Sequence, residues 1–369
     1  MIYLDYQATT PVAPEVAAAM RPWIEEKFAN PHSPSRWGAE AAAAIEHARD
    51  QVLTEIGLDE GRFIFTSGAT EALNWAIKGT IERSERRKIV TIATEHAAVL
   101  DSIEWLEGRG YQVVRLPVDA DGQVDLAEAA DAIDPKTALV AAMLVNNEVG
   151  TIQPVNALAE MAHGVGAVML CDAVQGFGRV DLPAADLIAI SAHKVHGPKG
   201  VGGLWIRKGK EPAPFLHGGG QEAGLRSGTL SPALCVGLGT AARIANERRV
   251  ADLAHVDRLF EVALQALGDG WILNGGREQR YRGNINVRRE GLDAARLVGE
   301  LRNLAFSLGS ACASGSGRPS HVLRAIGLSD RQARSSIRLG FGRMTGEAEL
   351  VSACRTIAAT AEAQQDFAA

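Results

Sequence analysis

Two residues in this 369-residue chain pair naturally as an amine and an acid poised for chemistry. Lys194 lies in Ser191-Ala192-His193-Lys194-Val195-His196-Gly197, directly after the apolar run Leu187-Ile188-Ala189-Ile190. An amine at a strand end, among small residues and two imidazoles, reads as a Schiff-base lysine. Asp172 ends a second apolar run, Val168-Met169-Leu170-Cys171, and a carboxylate there can keep a pyridine nitrogen protonated. Taken alone, the aspartate reads equally as a turn cap. Together the two point to pyridoxal 5'-phosphate as the cofactor.

Such a cofactor needs a phosphate cradle. Phe65-Thr66-Ser67-Gly68-Ala69-Thr70-Glu71 runs from a strand through small residues into a helix, where free backbone amides at Ala69 and the Thr70 hydroxyl can meet an anion. Ser191, His193 and Thr229 are further candidates, and an ordinary N-cap is the alternative. Neither Gly-x-x-x-x-Gly-Lys-Ser/Thr nor Gly-x-Gly-x-x-Gly after a strand occurs, which sets nucleotide chemistry aside. His96 follows the run Ile89-Val90-Thr91-Ile92 and can stack on a ring and exchange protons. Asn147 offers an amide after Met143-Leu144-Val145, and Arg338, in Ser336-Ile337-Arg338-Leu339, offers a bidentate grip on a carboxylate or a structural ion pair. Cys312 sits in Gly309-Ser310-Ala311-Cys312-Ala313-Ser314-Gly315-Ser316-Gly317-Arg318, where an arm of small residues could carry a reactive thiol ionised by Arg318 or an imidazole.

The elements that must position these groups are legible as periodicity. Apolar runs at 63–65, 89–92, 113–114, 139–142, 168–170, 187–190 and 203–206 alternate with helix-like stretches, the pattern of a mostly parallel α/β sheet covered on both faces. Functional groups then gather at the strand carboxyl ends. Helices are expected over 39–56, ending at Gly57, and over 231–249. Beyond about 250, helical runs at 251–268 and 293–303 alternate with strands at 284–287, 305–308 and 336–339, a smaller α+β unit. The expected division is a large cofactor-binding domain over 14–250, with 1–13 and 251–369 forming the small one.

Bulk properties narrow the function classes. The chain is 46% hydrophobic and 22% charged, with a net charge of −6 and a pI near 5.9, so nucleic acid is not an expected partner. No run approaches the roughly 20 apolar residues of a membrane span, and the start lacks a secretory pattern, so a cytoplasmic protein is expected. The four cysteines form no Cys-x-x-Cys pair, which argues against a zinc site or disulfide framework, and no metal ligands are expected.

In order along the chain, Tyr3 to Pro11, Thr66 to Glu71, Thr94-Glu95-His96, Asn146 to Pro154, Asp172 to Gln175, Ser191 to Gly200, Arg226 to Thr229, Gly309 to Cys312 and Ser335 to Arg338 together resemble the NifS/IscS-type cysteine desulfurases, within class V of the fold-type I pyridoxal phosphate enzymes. The resemblance implies a homodimer that converts L-cysteine to L-alanine. It implies that Lys194 carries the cofactor and takes the α-proton, Asp172 pairs with the pyridinium, Gln175 meets the ring hydroxyl, and His96 stacks and moves protons. Thr70, Ser191 and His193 would bind phosphate, joined by Thr229 from the second subunit. Arg338 would hold the substrate carboxylate with Asn147 and Asn30. Cys312 would take the sulfur as a persulfide, for delivery to an acceptor or iron–sulfur scaffold protein. Ser35 and Leu308 depart from frequent family residues, and an end at Ala369, without the longer docking tail of IscS-type members, leaves the acceptor open. Alternatives are a selenocysteine lyase, a class V aminotransferase, or a catalytically silent docking partner.

Overall fold

A computed structural model describes residues 1–309 and 319–366. The central sheet has seven strands: β2 (Gly61–Thr66), β3 (Lys88–Ile92), β4 (Gln112–Leu116), β5 (Thr137–Met143), β6 (Val168–Asp172), β7 (Leu187–Ser191) and β8 (Gly202–Arg207), in the spatial order β2-β8-β7-β6-β5-β3-β4. Strands β3 to β7 pair in parallel, whereas β8 runs antiparallel to both β7 and β2. Two reversals cancel, so β2 points the same way as β7. Every residue of β3, β5 and β7 is buried, because helices cover both faces and the near-continuous apolar runs have no solvent side. Each expected run of the large sheet is thus a strand, extended by one to three residues at its ends.

The Ala-rich helix Arg36–Ile56 starts three residues earlier than the expected 39, because the Ser35 side chain accepts the Gly38 amide. It ends at Gly57, whose left-handed φ of 67° suits glycine. The expected separate helices over 231–249 and 251–268 are one helix, Pro232–Leu267, of 36 residues. The junction Arg248-Arg249-Val250-Ala251-Asp252 holds no glycine or proline to end it, and at 1.5 Å per residue the helix spans about 54 Å. It passes from one core to another: Val256 packs with the large-sheet core, while Leu259, Phe260 and Ala263 pack in the second.

That second core lies under a smaller sheet ordered β12 (Ser307–Leu308), β13 (Ser336–Gly340), β10 (Asn284–Arg289) and β9 (Trp271–Leu273), all antiparallel. The expected strand over 305–308 is split. Leu304–Ala305 (β11) pairs with β1 (Ile2–Tyr3), and Phe306 turns into the core before β12 begins. Among the described residues no helix is long and apolar enough to cross a membrane.

Candidate active site

Five strands pointing the same way deliver their next residues to one edge of the large sheet. Beyond β2 comes Ser67 to Thr70, beyond β3 His96, beyond β5 Asn147, at the last residue of β6 Asp172, and beyond β7 Lys194, on a short 3-10 turn. They line one cavity of about 550 Å³, together with Ala69, Gln175, Ser191, His193, Lys199, Gln7, Ala8 and Arg338. Arg338 comes from β13 of the small sheet, so the cavity lies where the two sheets meet.

Lys194 Nζ donates to the carbonyls of Gln7 (2.5 Å) and Ala8 (2.8 Å). These belong to an N-terminal strap that leaves the small sheet at Asp5, bridged to Gly340, and crosses to the large one. Thr10 Oγ1 donates to the His193 carbonyl, and Gln175 Nε2 also donates to the Gln7 carbonyl. The strap contributes backbone oxygens, which no side-chain pattern in the sequence marks. Gln175 Oε1 accepts from Arg179 at 2.5 Å, so both ends of its carboxamide are engaged.

Asp172 is buried at the cavity wall, with Oδ1 accepting the Val174 amide. Burial raises its pKa, while the charges of His96 and Lys194 and the Val174 bond pull it back. Glu95 beside it is fully buried. Burial, and then the Asp172 charge, push its carboxyl well above the usual range. Its Oε1 accepts from the Met143 amide, and Oε2 has no partner among the described residues.

His96 is the N-cap of helix Ala97–Glu107, and its Nδ1 accepts from the Ala98 amide at 3.1 Å. That bond assigns the neutral ring's proton to Nε2. His193 Nδ1 meets Thr9 Oγ1 at 3.0 Å; burial and the neighbouring Lys194 and Lys199 hold its pKa down near 4, so it is a neutral hydrogen-bonding partner. The helix Ala69–Glu82 begins after Gly68 with no side-chain cap, leaving its first amides available to an anion. The Glu71 carboxylate takes the Ser67 amide and is paired with Arg226.

Arg338 is 1% exposed. Its Nη2 pairs with Asp5 at 2.8 Å, its Nη1 donates to the Asn147 carbonyl at 3.0 Å, and its Nε has no partner among the described residues. Asp5 and the Asn147 carbonyl therefore orient the guanidinium of a residue that lines the cavity.

Two candidates are not brought to this cavity. Asn30 is exposed and its Oδ1 caps its own turn by accepting the His32 amide. Thr229 is exposed on the loop after Arg226. Cys312 and Arg318 lie outside the described residues. The other thiols, Cys171, Cys235 and Cys354, are buried, and burial pushes the last two up to about 12 and the first well above its ordinary value. None of those three is an available nucleophile.

The sequence matches the aminotransferase class-V family over residues 2–352. It is 44% identical over 368 residues to the cysteine desulfurase IscS of Rickettsia bellii, covering 96% of this chain and 90% of that one. A solved NifS-like protein superposes with a TM-score of 0.91 at 34% identity, covering 97% and 98% of the two chains. The structure of SspA in complex with cysteine superposes at 0.83 with 36% identity, covering 92% and 99%. The chain belongs to the class-V aminotransferase family and, within it, to the IscS/NifS-type cysteine desulfurases.

Proposed function

We propose that this protein is a pyridoxal-phosphate-dependent cysteine desulfurase, converting L-cysteine to L-alanine and passing the sulfur to Cys312. The observation that carries the reading is one cavity holding Lys194, a buried Asp172, His96 and Arg338. The donor set fits the cofactor: an amine for its aldehyde, a buried carboxylate for its ring nitrogen, and an uncapped helix start with Thr70 and Ser191 for its phosphate. When bound, pyridoxal phosphate supplies a carbonyl that captures the substrate amine and a conjugated system that accepts its bonding electrons.

The chain's own residues do the rest. Arg338, oriented by Asp5, takes the substrate carboxylate. Lys194 Nζ, held at the Gln7 and Ala8 carbonyls, is within the cavity to take the α-proton. His96 presents Nε2 for a second proton transfer, since Nδ1 is tied to Ala98. The Cys312 thiolate forms a bond to the substrate sulfur as the Cβ–S bond breaks, leaving a persulfide on the enzyme and, once protons return to carbon, alanine. A thiol reductant or an acceptor protein then removes the outer sulfur; an iron–sulfur scaffold protein is such an acceptor.

We place Thr229 in the cavity of a second copy. It sits on a loop tied by its Ser227 amide to the Leu216 carbonyl, next to the exposed apolar pair Phe215 and Leu216, and Ile24, Phe28 and Trp37 are exposed as well. Apolar surface of this kind favours burial in an interface. The proposal includes a cytoplasmic location, where reduced thiols persist.

The test is the reaction itself. Incubation with L-cysteine and dithiothreitol is expected to give alanine and sulfide in equal amounts, with Lys194→Ala inactive. Amino transfer to a keto acid without alanine from cysteine would instead make it an aminotransferase.

A further inference from the structure

Glu148 is a buried acid that the mechanism above does not use. It follows Asn147 on the cavity rim, and the turn carrying it is fixed by Asn146 Oδ1, which accepts the amides of Glu148 and Val149. Three contacts then reach across to the small-sheet side. Glu148 Oε2 accepts from Ser320 Oγ at 2.5 Å, over 172 residues of sequence. The Glu148 carbonyl accepts from Asn286 Nδ2 at 3.1 Å, and the same Nδ2 donates to the Gly309 carbonyl at 3.1 Å. Val149 packs with Val322, Leu323 and Ile326 in a small apolar cluster of its own.

Gly309 precedes the 310–318 stretch, and Pro319 and Ser320 follow it. Gly309 is further tied by its amide to the Ser336 carbonyl, two residues before Arg338, and a Cβ at Gly309 would lie 2.7 Å from Leu323 Cδ1. Ser320 also caps helix His321–Ala325 by accepting the Leu323 amide, and the next residue, His321, bonds the Glu95 carbonyl through Nε2 at 2.9 Å. Both flanks are therefore referenced to rim loops that carry His96 and Asn147.

We propose that Glu148 is a positioning residue for sulfur transfer: its carboxyl, through Ser320, fixes the C-terminal root of the segment that contains Cys312 against the cavity rim, where Asn286 joins the Glu148 and Gly309 carbonyls. This rests on the reading of Cys312 as the sulfur acceptor. Placement errors of about 1 Å at a reacting pair cost up to about 100-fold in rate, so loss of this anchor should show in the transfer step and spare steps that involve only Lys194 and His96. Burial pushes the Glu148 carboxyl up to about 7, with the Ser320 bond, Arg338 and His96 pulling it down, so the anchor is a hydrogen bond that a neutral acceptor can also make.

The experiment uses the holoenzyme and two readouts: exchange of the substrate α-hydrogen in heavy water by NMR, and persulfide on the Cys312 peptide by rapid quench and mass spectrometry. Glu148→Ala and Ser320→Ala are expected to slow persulfide formation by about tenfold or more. Their α-hydrogen exchange should stay within about twofold of wild type. Glu148→Gln and Ser320→Thr, which keep an acceptor and a donor, should restore most of the rate. Equal slowing of both readouts in the alanine variants, or persulfide formation at the wild-type rate in Ser320→Ala, would overturn the proposal. Wild-type protein that never forms the persulfide would instead defeat the underlying reading of Cys312.

Discussion

Replacing Glu148 by glutamine isolates the titration of one buried carboxyl. Burial pushes the Glu148 carboxyl from its ordinary value of 4.5 up to about 7 in the folded chain. The folded state therefore holds this proton more tightly than the unfolded one. The associated stabilisation is complete below pH 4.5 and is lost as pH rises through 7. At about 1.4 kcal/mol per unit the loss amounts to about 3 kcal/mol by pH 8. Glutamine keeps the size and an acceptor for Ser320 Oγ but carries no titration. Guanidinium unfolding of the two proteins at pH 5 and pH 8 should show the stability of Glu148→Gln rising relative to wild type by about 2 to 3 kcal/mol across that interval. The sign follows from burial outweighing the pull of Ser320, Arg338 and His96 on the carboxylate. A difference that stays constant with pH would mean that those partners fully offset burial, and the electrostatic reasoning at this rim would be refuted.

Other perturbations have equally definite outcomes. Glu95→Gln keeps an acceptor for the Met143 amide and should leave stability within about 1 kcal/mol of wild type, whereas Glu95→Lys buries an unpaired charge and should prevent folding; far-ultraviolet circular dichroism and melting curves check both. Arg338→Lys keeps the charge but loses the fork that meets Asp5 and the Asn147 carbonyl, and should raise KM for cysteine about tenfold to hundredfold in steady-state assays. Iodoacetamide at neutral pH should label Cys312 ahead of Cys171, Cys235 and Cys354, all buried, as read by peptide mapping. Sedimentation should give a dimer, and Thr229→Ala should weaken cofactor retention on dialysis, while a monomer with full cofactor affinity would remove the role of Thr229 in a second subunit.

What the sequence makes legible follows from parallel-sheet geometry. Thr70, His96, Asn147, Asp172 and Lys194 are each the residue or loop after an apolar run, and strands running one way put all five at one edge. Arg338 is legible as the charged residue inside an apolar strand. Groups that act through backbone or across long sequence distances are not. The Gln7 and Ala8 carbonyls carry no side-chain signature, and Glu148 acquires its meaning only when Ser320 arrives from 172 residues away. Asn30 and Thr229 lie apart from the cavity of their own chain, so the role of Thr229 depends on a second copy and Asn30 is not brought to Arg338. The helix over 232–267 is one element that serves both cores, its buried stripe changing partner between Val256 and Leu259.

The central claim is that an amine at Lys194 drives cysteine breakdown and that the sulfur passes to Cys312. Mass spectrometry of the holoenzyme after a brief exposure to L-cysteine tests it most directly. One extra sulfur atom should appear on the Cys312 peptide of wild type, and none on that of Lys194→Ala. An unmodified Cys312 peptide beside freely formed alanine, or the added sulfur on Cys171, Cys235 or Cys354, would contradict the account.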